Sequence, residues 1–270
     1  MWNDVAPFYP DQLRGIPKTS ESRGTEAILN ALILANRDAY NGQLADDTRA
    51  AFANMWALQM RTPDMSGAWA WLNFQYEPWE STAAPYFGAS LAALAVGTAP
   101  GQYAASGQIQ DSVKRLREYL QHGFPNQSPF NQLMALWAST AMHGLLAADQ
   151  QQTFIDAVSR QQQEDGGWST ASLGAWKRLD GSQLDTHSDG YATGLITLVL
   201  QRSGVSSPDP RVRKGLEWLK QNQNRDTGQW SASSLNKQRD PASDIGRFMS
   251  DAATGFAVLS LTFKDQRGDR

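Results

Sequence analysis

Apolar and small residues recur along this chain at helical spacing, and two textures alternate. Segments rich in Ala, Gly and Thr occupy 25–36, 85–97, 131–146, 189–202 and 251–263, and their small side chains let helices crowd together. Between them, 46–60, 109–122, 150–163 and 210–223 carry apolar residues on one face and charge on the other, the pattern of helices half turned to water. The pattern predicts an all-α fold with five crowded and four solvated helices. Such an alternation suits a single α/α toroid, with the crowded helices as an inner ring and the solvated ones outside. An open solenoid of helix pairs is the structural competitor. The expected organisation is an N-terminal arm over 1–24, a repeat domain over 25–263 and a tail over 264–270.

Three copies of a short pattern punctuate the alternation: a glutamine near the end of a solvated helix, a turn, and Gly-x-Trp. They are Gln59 with Gly67-Ala68-Trp69, Gln163 with Gly166-Gly167-Trp168, and Gln223 with Gly228-Gln229-Trp230. The last two copies extend further. Trp168-Ser169-Thr170-Ala171-Ser172-Leu173 precedes Lys177-Arg178, and Trp230-Ser231-Ala232-Ser233-Ser234-Leu235 precedes Lys237 and Arg239. Glycine supplies a positive-φ turn that ends the helix, and the Trp ring is expected to lie back over neighbouring helix ends. The Gln amide is suited to free backbone groups at helix termini. The helix ending at Gln121-His122-Gly123-Phe124 lacks the Gly-x-Trp, with Phe124 as the candidate substitute.

This pattern resembles the QW repeat of the squalene–hopene cyclase and protein prenyltransferase superfamily, with Arg213 to Trp230 as the best match. The resemblance implies an α/α toroid and, in its class II terpene cyclase branch, proton-initiated cyclisation of an isoprenoid in an apolar cavity, without cofactor or metal. In that branch an inner helix opens with D-x-D-D-T-A, and the middle Asp is the acid. Laid on this chain, His187-Ser188-Asp189-Gly190-Tyr191-Ala192 puts Asp189 at the acid position, with His187 in place of the first Asp, Gly190 of the third and Tyr191 of the Thr. His187 and Tyr191 are then candidates to tune Asp189 by hydrogen bonding. A capping reading stands beside it: Asp189 precedes a helix, and Ser250-Asp251 before Ala252 repeats the arrangement.

Other residues enter as candidate substrate contacts. The aromatic run from Trp69 to Phe87 contains Trp71, Tyr86 and Phe87, whose ring faces suit a carbocation or fill a core. Arg178, Arg239 and Arg247 follow the QW turns and are candidates for an anionic head group, or else solvated loop charges. The chain has no cysteine, which removes the Cys-Asp-His zinc site that the prenyltransferase branch would imply. No Asp-rich magnesium motif appears; Asp46-Asp47-Thr48 reads as a helix cap.

With 24 basic and 27 acidic residues the net charge is −3, and no basic run offers a nucleic-acid surface. No apolar stretch reaches a membrane-spanning length of about 18 residues, and the N-terminus lacks a signal-peptide layout. The chain is expected to be soluble as given, in the cytoplasm or exported after removal of a leader, with membrane contact still open. An apolar isoprenoid or lipid is the expected ligand, and a second domain or protein partner is compatible, because full cyclases build their cavity between two such domains. Two alternatives to a cyclase remain: a non-catalytic lipid- or protein-binding module, and a carbohydrate-active barrel using Asp185, Asp189 and Asp251.

Overall fold

The computed structural model describes residues 12–13 and 16–264, with side chains from Lys18 onward. Among the described residues its regular structure is helical apart from a two-residue antiparallel pairing of Gln12–Leu13 with Ile16–Pro17 and an isolated bridge between Tyr76 and Glu80. The helices are α1 (Thr19–Asn41), α2 (Asp46–Ala57), α3 (Ala84–Thr98), α4 (Gln110–Gly123), α5 (Pro129–Ala141), α6 (Ala148–Ser159), α7 (Gly190–Arg202), α8 (Pro210–Gln221) and α9 (Asp244–Leu261). Each expected segment holds one of these helices. The parts of the expected arm and tail at 1–11, 14–15 and 265–270 lie outside the described residues.

Burial follows the two textures. In α4 only Val113, Leu116 and Leu120 are buried, and in α8 only Val212, Gly215, Trp218 and Leu219, each set a single helical stripe. By contrast α7 is buried from Gly190 to Gln201, and α3 from Gly88 to Val96, on every face. Ala and Gly make this possible by letting backbones approach.

The chain divides into two compact units, Met1–Gln127 with Met134–Ala147, and Ser128–Leu133 with Ala148–Arg270. In the first, α1 packs on α2 and α3, and α3 on α4. In the second, α7 packs on α8 and most extensively on α9. Both units therefore contain the same succession: crowded helix, solvated helix, Gly-x-Trp turn, crowded helix.

Two helix starts differ from expectation by more than two residues. Helix α1 starts at Thr19 rather than in the middle twenties, with Lys18 bonded to Glu21 at its entry. Helix α9 starts at Asp244, not after Asp251. Ser243 caps it, accepting from the Gly246 N–H at 3.1 Å, and Asp251 is an exposed mid-helix residue. The Ser cap and the acidic first turn upstream of a continuous apolar stripe explain the longer helix.

The crowded helices can be brought into register. Thr193 Oγ1 accepts from the backbone N–H of Trp168, and Thr254 Oγ1 accepts from that of Trp230, so Thr193 of α7 corresponds to Thr254 of α9. Gly194 then corresponds to Gly255, and their surroundings differ. A Cβ on Gly194 would lie 2.7 Å from the Ala257 backbone nitrogen, whereas one on Gly255 would meet nothing. Gly194→Ala is expected to cost about 1–3 kcal/mol through overpacking. Gly255→Ala is expected to stabilise by about 0.5–1 kcal/mol through helix propensity. Urea melts of the two variants at low protein concentration check the contrast.

Candidate functional site

The three Gly-x-Trp turns are built alike. Each indole Nε1–H donates to a last-turn carbonyl of the preceding solvated helix: Trp69 to Met55 at 2.6 Å, Trp168 to Val158 at 2.8 Å, and Trp230 to Leu219 at 2.8 Å. The Met55 and Val158 carbonyls also accept backbone N–H groups three residues on, from Leu58 and Gln161, so the indoles complete the helix ends while their rings are buried. The glycines Gly67, Gly166 and Gly228 all take positive φ. Next to α4 the donor comes from elsewhere: Tyr86 Oη donates to the Leu120 carbonyl at 2.7 Å, and Phe124 is buried beside it. Tyr86 thus replaces the missing Trp, and its environment lifts its hydroxyl pKa well above the usual value, mainly through burial.

The glutamine of the second copy is Gln162 rather than Gln163. Gln59 Nε2 bonds the carbonyls of Gly67, at 3.3 Å, and Ser112, at 3.0 Å, in the first turn of the next solvated helix. Gln162 Nε2 does the same with Gly166 at 2.8 Å and Arg211 at 2.9 Å. Gln163 instead reaches the Thr186 carbonyl. Helix α6 stops at Ser159, and its turn is short, so the amide one residue earlier lies under the glycine. In the third copy Gln223 bonds Gly228 at 2.8 Å and, among the described residues, no carbonyl of a following solvated helix.

Asp189 sits where the second turn meets α7. It is buried, and as N-cap its Oδ1 accepts from the Ala192 N–H at 3.0 Å and the Thr170 hydroxyl at 2.8 Å. Its Oδ2 accepts from the Thr170 N–H at 2.6 Å, and the Tyr191 N–H also points at the carboxylate. Burial pushes its pKa up to about 6, against these donors. Both oxygens are therefore engaged by the chain itself, and they lock the loop after Trp168 onto the start of α7. Thr170, the residue that carries this lock, has a sequence signal only in its place two positions after the repeat Trp.

The other expected acid-tuning groups are not gathered around the Asp189 carboxylate. The His187 side chain is 93% exposed, and its Nδ1 lies 2.7 Å from Asp185 Oδ1. Tyr191 is buried and packs its ring edge-on against Phe256, with centroids 5.2 Å apart. The register of α7 and α9 pairs Asp189 with Ser250, whose hydroxyl donates to the Gly246 carbonyl, and pairs Gly190 with Asp251. The expectation of a recurrent capping Asp is thus corrected: Asp189 has no carboxylate counterpart in the last repeat.

Trp71, Phe87, Arg178 and Arg247 are engaged as well. Trp71 is buried, donates to the Trp79 carbonyl at 2.8 Å and meets Phe87 edge-on at 5.5 Å. Arg178 donates to the carbonyls of Ser234 at 2.9 Å and Gln183 at 2.5 Å, tying one post-Trp loop to the other. The same pairing joins the Leu179 N–H to the Asn236 carbonyl at 2.8 Å. Arg247 pairs with Asp244 on the surface of α9, and Arg239 is half-buried in the second loop.

A cavity of about 640 Å³ opens in the first unit between α2 and the connection that leads to α4. Arg49, Trp56, Gln102 and Tyr103 line it, with Trp56 Nε1 donating to Tyr103 Oη at 3.0 Å and Gln102 at φ 56°. None of the residues singled out in the sequence borders it.

Among the described residues no helix is long and apolar enough to cross a membrane, and no group of three or more His, Cys, Asp or Glu side chains is placed to hold a metal ion. No protein-family model matches the chain, and no curated protein matches it.

Proposed function

We propose that this chain is a non-catalytic interaction module built from QW-type helical repeats, with protein as its partner. One observation carries the reading: the buried carboxylate of Asp189, the only residue aligned with the cyclase acid, spends both oxygens on Thr170, Ala192 and Tyr191. Protonating an alkene requires a strong acid facing substrate. A carboxyl lifted to about 6 by burial, which outweighs the donors around it, is a weaker acid than an ordinary one, and it is buried where the Trp168 loop meets α7. The candidate aromatics Trp71 and Tyr86 likewise cap backbone carbonyls. What the fold leaves available is apolar helix surface: Leu29, Ile33 and Tyr40 on α1, and Ile245, Phe248, Val258 and Leu259 on α9 are exposed.

The test is incubation of the purified protein with squalene and with farnesyl and geranylgeranyl compounds, with and without diphosphate, followed by mass spectrometry of extracted products. No cyclised product is expected from any of them. A cyclised product made by the wild type and lost in Asp189→Asn would overturn the proposal in favour of a class II terpene cyclase-like activity.

A further inference from the structure

We infer that the exposed face of α9 binds α1 of a second copy of this chain, continuing the α7–α9 interface from one molecule into the next. The inference rests on the interaction-module reading and names its partner. Gly255 and Leu259 of α9 correspond to Gly194 and Leu198 of α7, both buried, with Gly194 set against Phe256 and Ala257 of α9. On α9 the same positions are bare: Leu259 is 47% exposed, and a Cβ on Gly255 would touch nothing. Among the described residues, the surface of α9 that matches the α9-facing surface of α7 is therefore exposed.

The repeat register also says which surface fits. A Cβ on Gly190 of α7 would run into Trp230 and the Ser231 carbonyl, and one on Gly24 of α1 would run into the carbonyl of Ala70, the residue after Trp69. Gly24 thus corresponds to Gly190, and α1 can be laid on α7 and, through it, on α9. Phe256 and Ala257, the residues of α9 that meet Gly194, correspond to Leu29 and Asn30 of α1, and Ser260 one turn on corresponds to Ile33. Leu29, Asn30 and Ile33 are all exposed, Ile33 by 65%. Among the described residues, the exposed face of α1 is the face that α9 uses on α7.

Transferring the α7–α9 register sets Gly255 of one molecule against Leu29 and Asn30 of the second copy, and Leu259 against Ile33. The glycine lets the backbones approach, and the leucine and isoleucine remove apolar surface from water one turn away. Val258 and Gly228, which in earlier repeats would lie under a solvated helix, stay at the rim. Because the two faces differ, the contact is heterologous and propagates into a ring or an open chain.

Sedimentation equilibrium of the wild type over a wide concentration range tests this, with Gly255→Trp blocking the α9 face and Ile33→Glu blocking the α1 face. Both sites are at the surface, and circular dichroism checks that each variant stays folded. Wild type is expected to self-associate, and each variant to do so at least ~10-fold more weakly. An equal mixture of the two is expected to stop at a 1:1 dimer, since each keeps one intact face. Wild type that stays monomeric throughout, or an Ile33→Glu variant that associates like wild type through a symmetric α9–α9 contact, would overturn the inference. A monomer that also forms no cyclised isoprenoid leaves the interaction-module reading standing, whereas a cyclised product removes that reading itself.

Discussion

Trp168→Ala is expected to destabilise the second unit by about 3–5 kcal/mol, the usual cost of deleting a fully buried indole. The ring is inaccessible to solvent, and its Cζ3 lies where a Cβ on Gly215 of α8 would come within 3.1 Å. Its backbone is held as firmly, since the Trp168 N–H donates to Thr193 Oγ1 at 3.0 Å and its carbonyl accepts from the Asp189 N–H at 2.9 Å. Removing the ring leaves a cavity beside Gly215 of α8, and it strips the Val158 carbonyl at the end of α6 of its indole donor. Trp168→Phe separates the two effects, because it keeps most of the apolar area and loses only the hydrogen bond. It should cost roughly half as much or less. Chemical denaturation followed by circular dichroism reads both variants. Equal losses for Phe and Ala would show that the hydrogen bond, and not the packing, carries the clamp.

The architecture was legible because its signals are long and repeated. Two textures of helix separate by composition alone, and nine segments read from that alternation each contain a helix among the described residues. The Gly-x-Trp turns were legible for a related reason: a positive-φ turn demands glycine, and a Trp in three equivalent places has one role. What the pattern did not carry is how turn length shifts a partner. The second turn is shorter than the third, so Gln162 and not Gln163 lies under the second turn's Gly166. Nor did it show that Ser243 starts α9 early, which turns Asp251 from an expected cap into an exposed mid-helix side chain. A helix start depends on a single capping contact, whereas a helix interior is announced by several turns of periodicity.

At the candidate site the residues were easier to find than their roles. Asp189 stood out in the sequence as a carboxylate at the head of a crowded helix, and both a capping and a catalytic role fit that position. The choice between them turns on Thr170, nineteen residues upstream along the chain, which delivers two of the donors. Tyr86 illustrates the same point. It reads as a ring for a substrate, but its hydroxyl completes a clamp at Leu120 that a degenerate repeat would otherwise lack.

Asp189→Ala is expected to cost about 2–4 kcal/mol near pH 4, combining loss of an N-cap with buried N–H groups at Thr170 and Ala192 left without an acceptor. The cost should shrink as pH rises, and the sign follows from burial. An aspartate whose pKa goes from 3.8 in the unfolded chain to about 6 in the fold binds its proton more tightly when folded. Its contribution to stability is therefore complete below pH 3.8 and is lost as pH passes through about 6. The change is on the order of 3 kcal/mol, the free-energy equivalent of that shift. Asp180 titrates in the opposite sense, held at about 2 chiefly by its hydrogen bond from Ser182, but it is present in both proteins and cancels in their difference. Urea melts of wild type and Asp189→Ala at pH 4 and pH 7 give that difference directly. A cost that grows from pH 4 to pH 7 would mean that Thr170, Tyr191 and Ala192 together outweigh desolvation and hold the carboxylate ionised. The buried acid would then be a stronger one, and a proton-donating role would regain ground that the capping geometry takes from it.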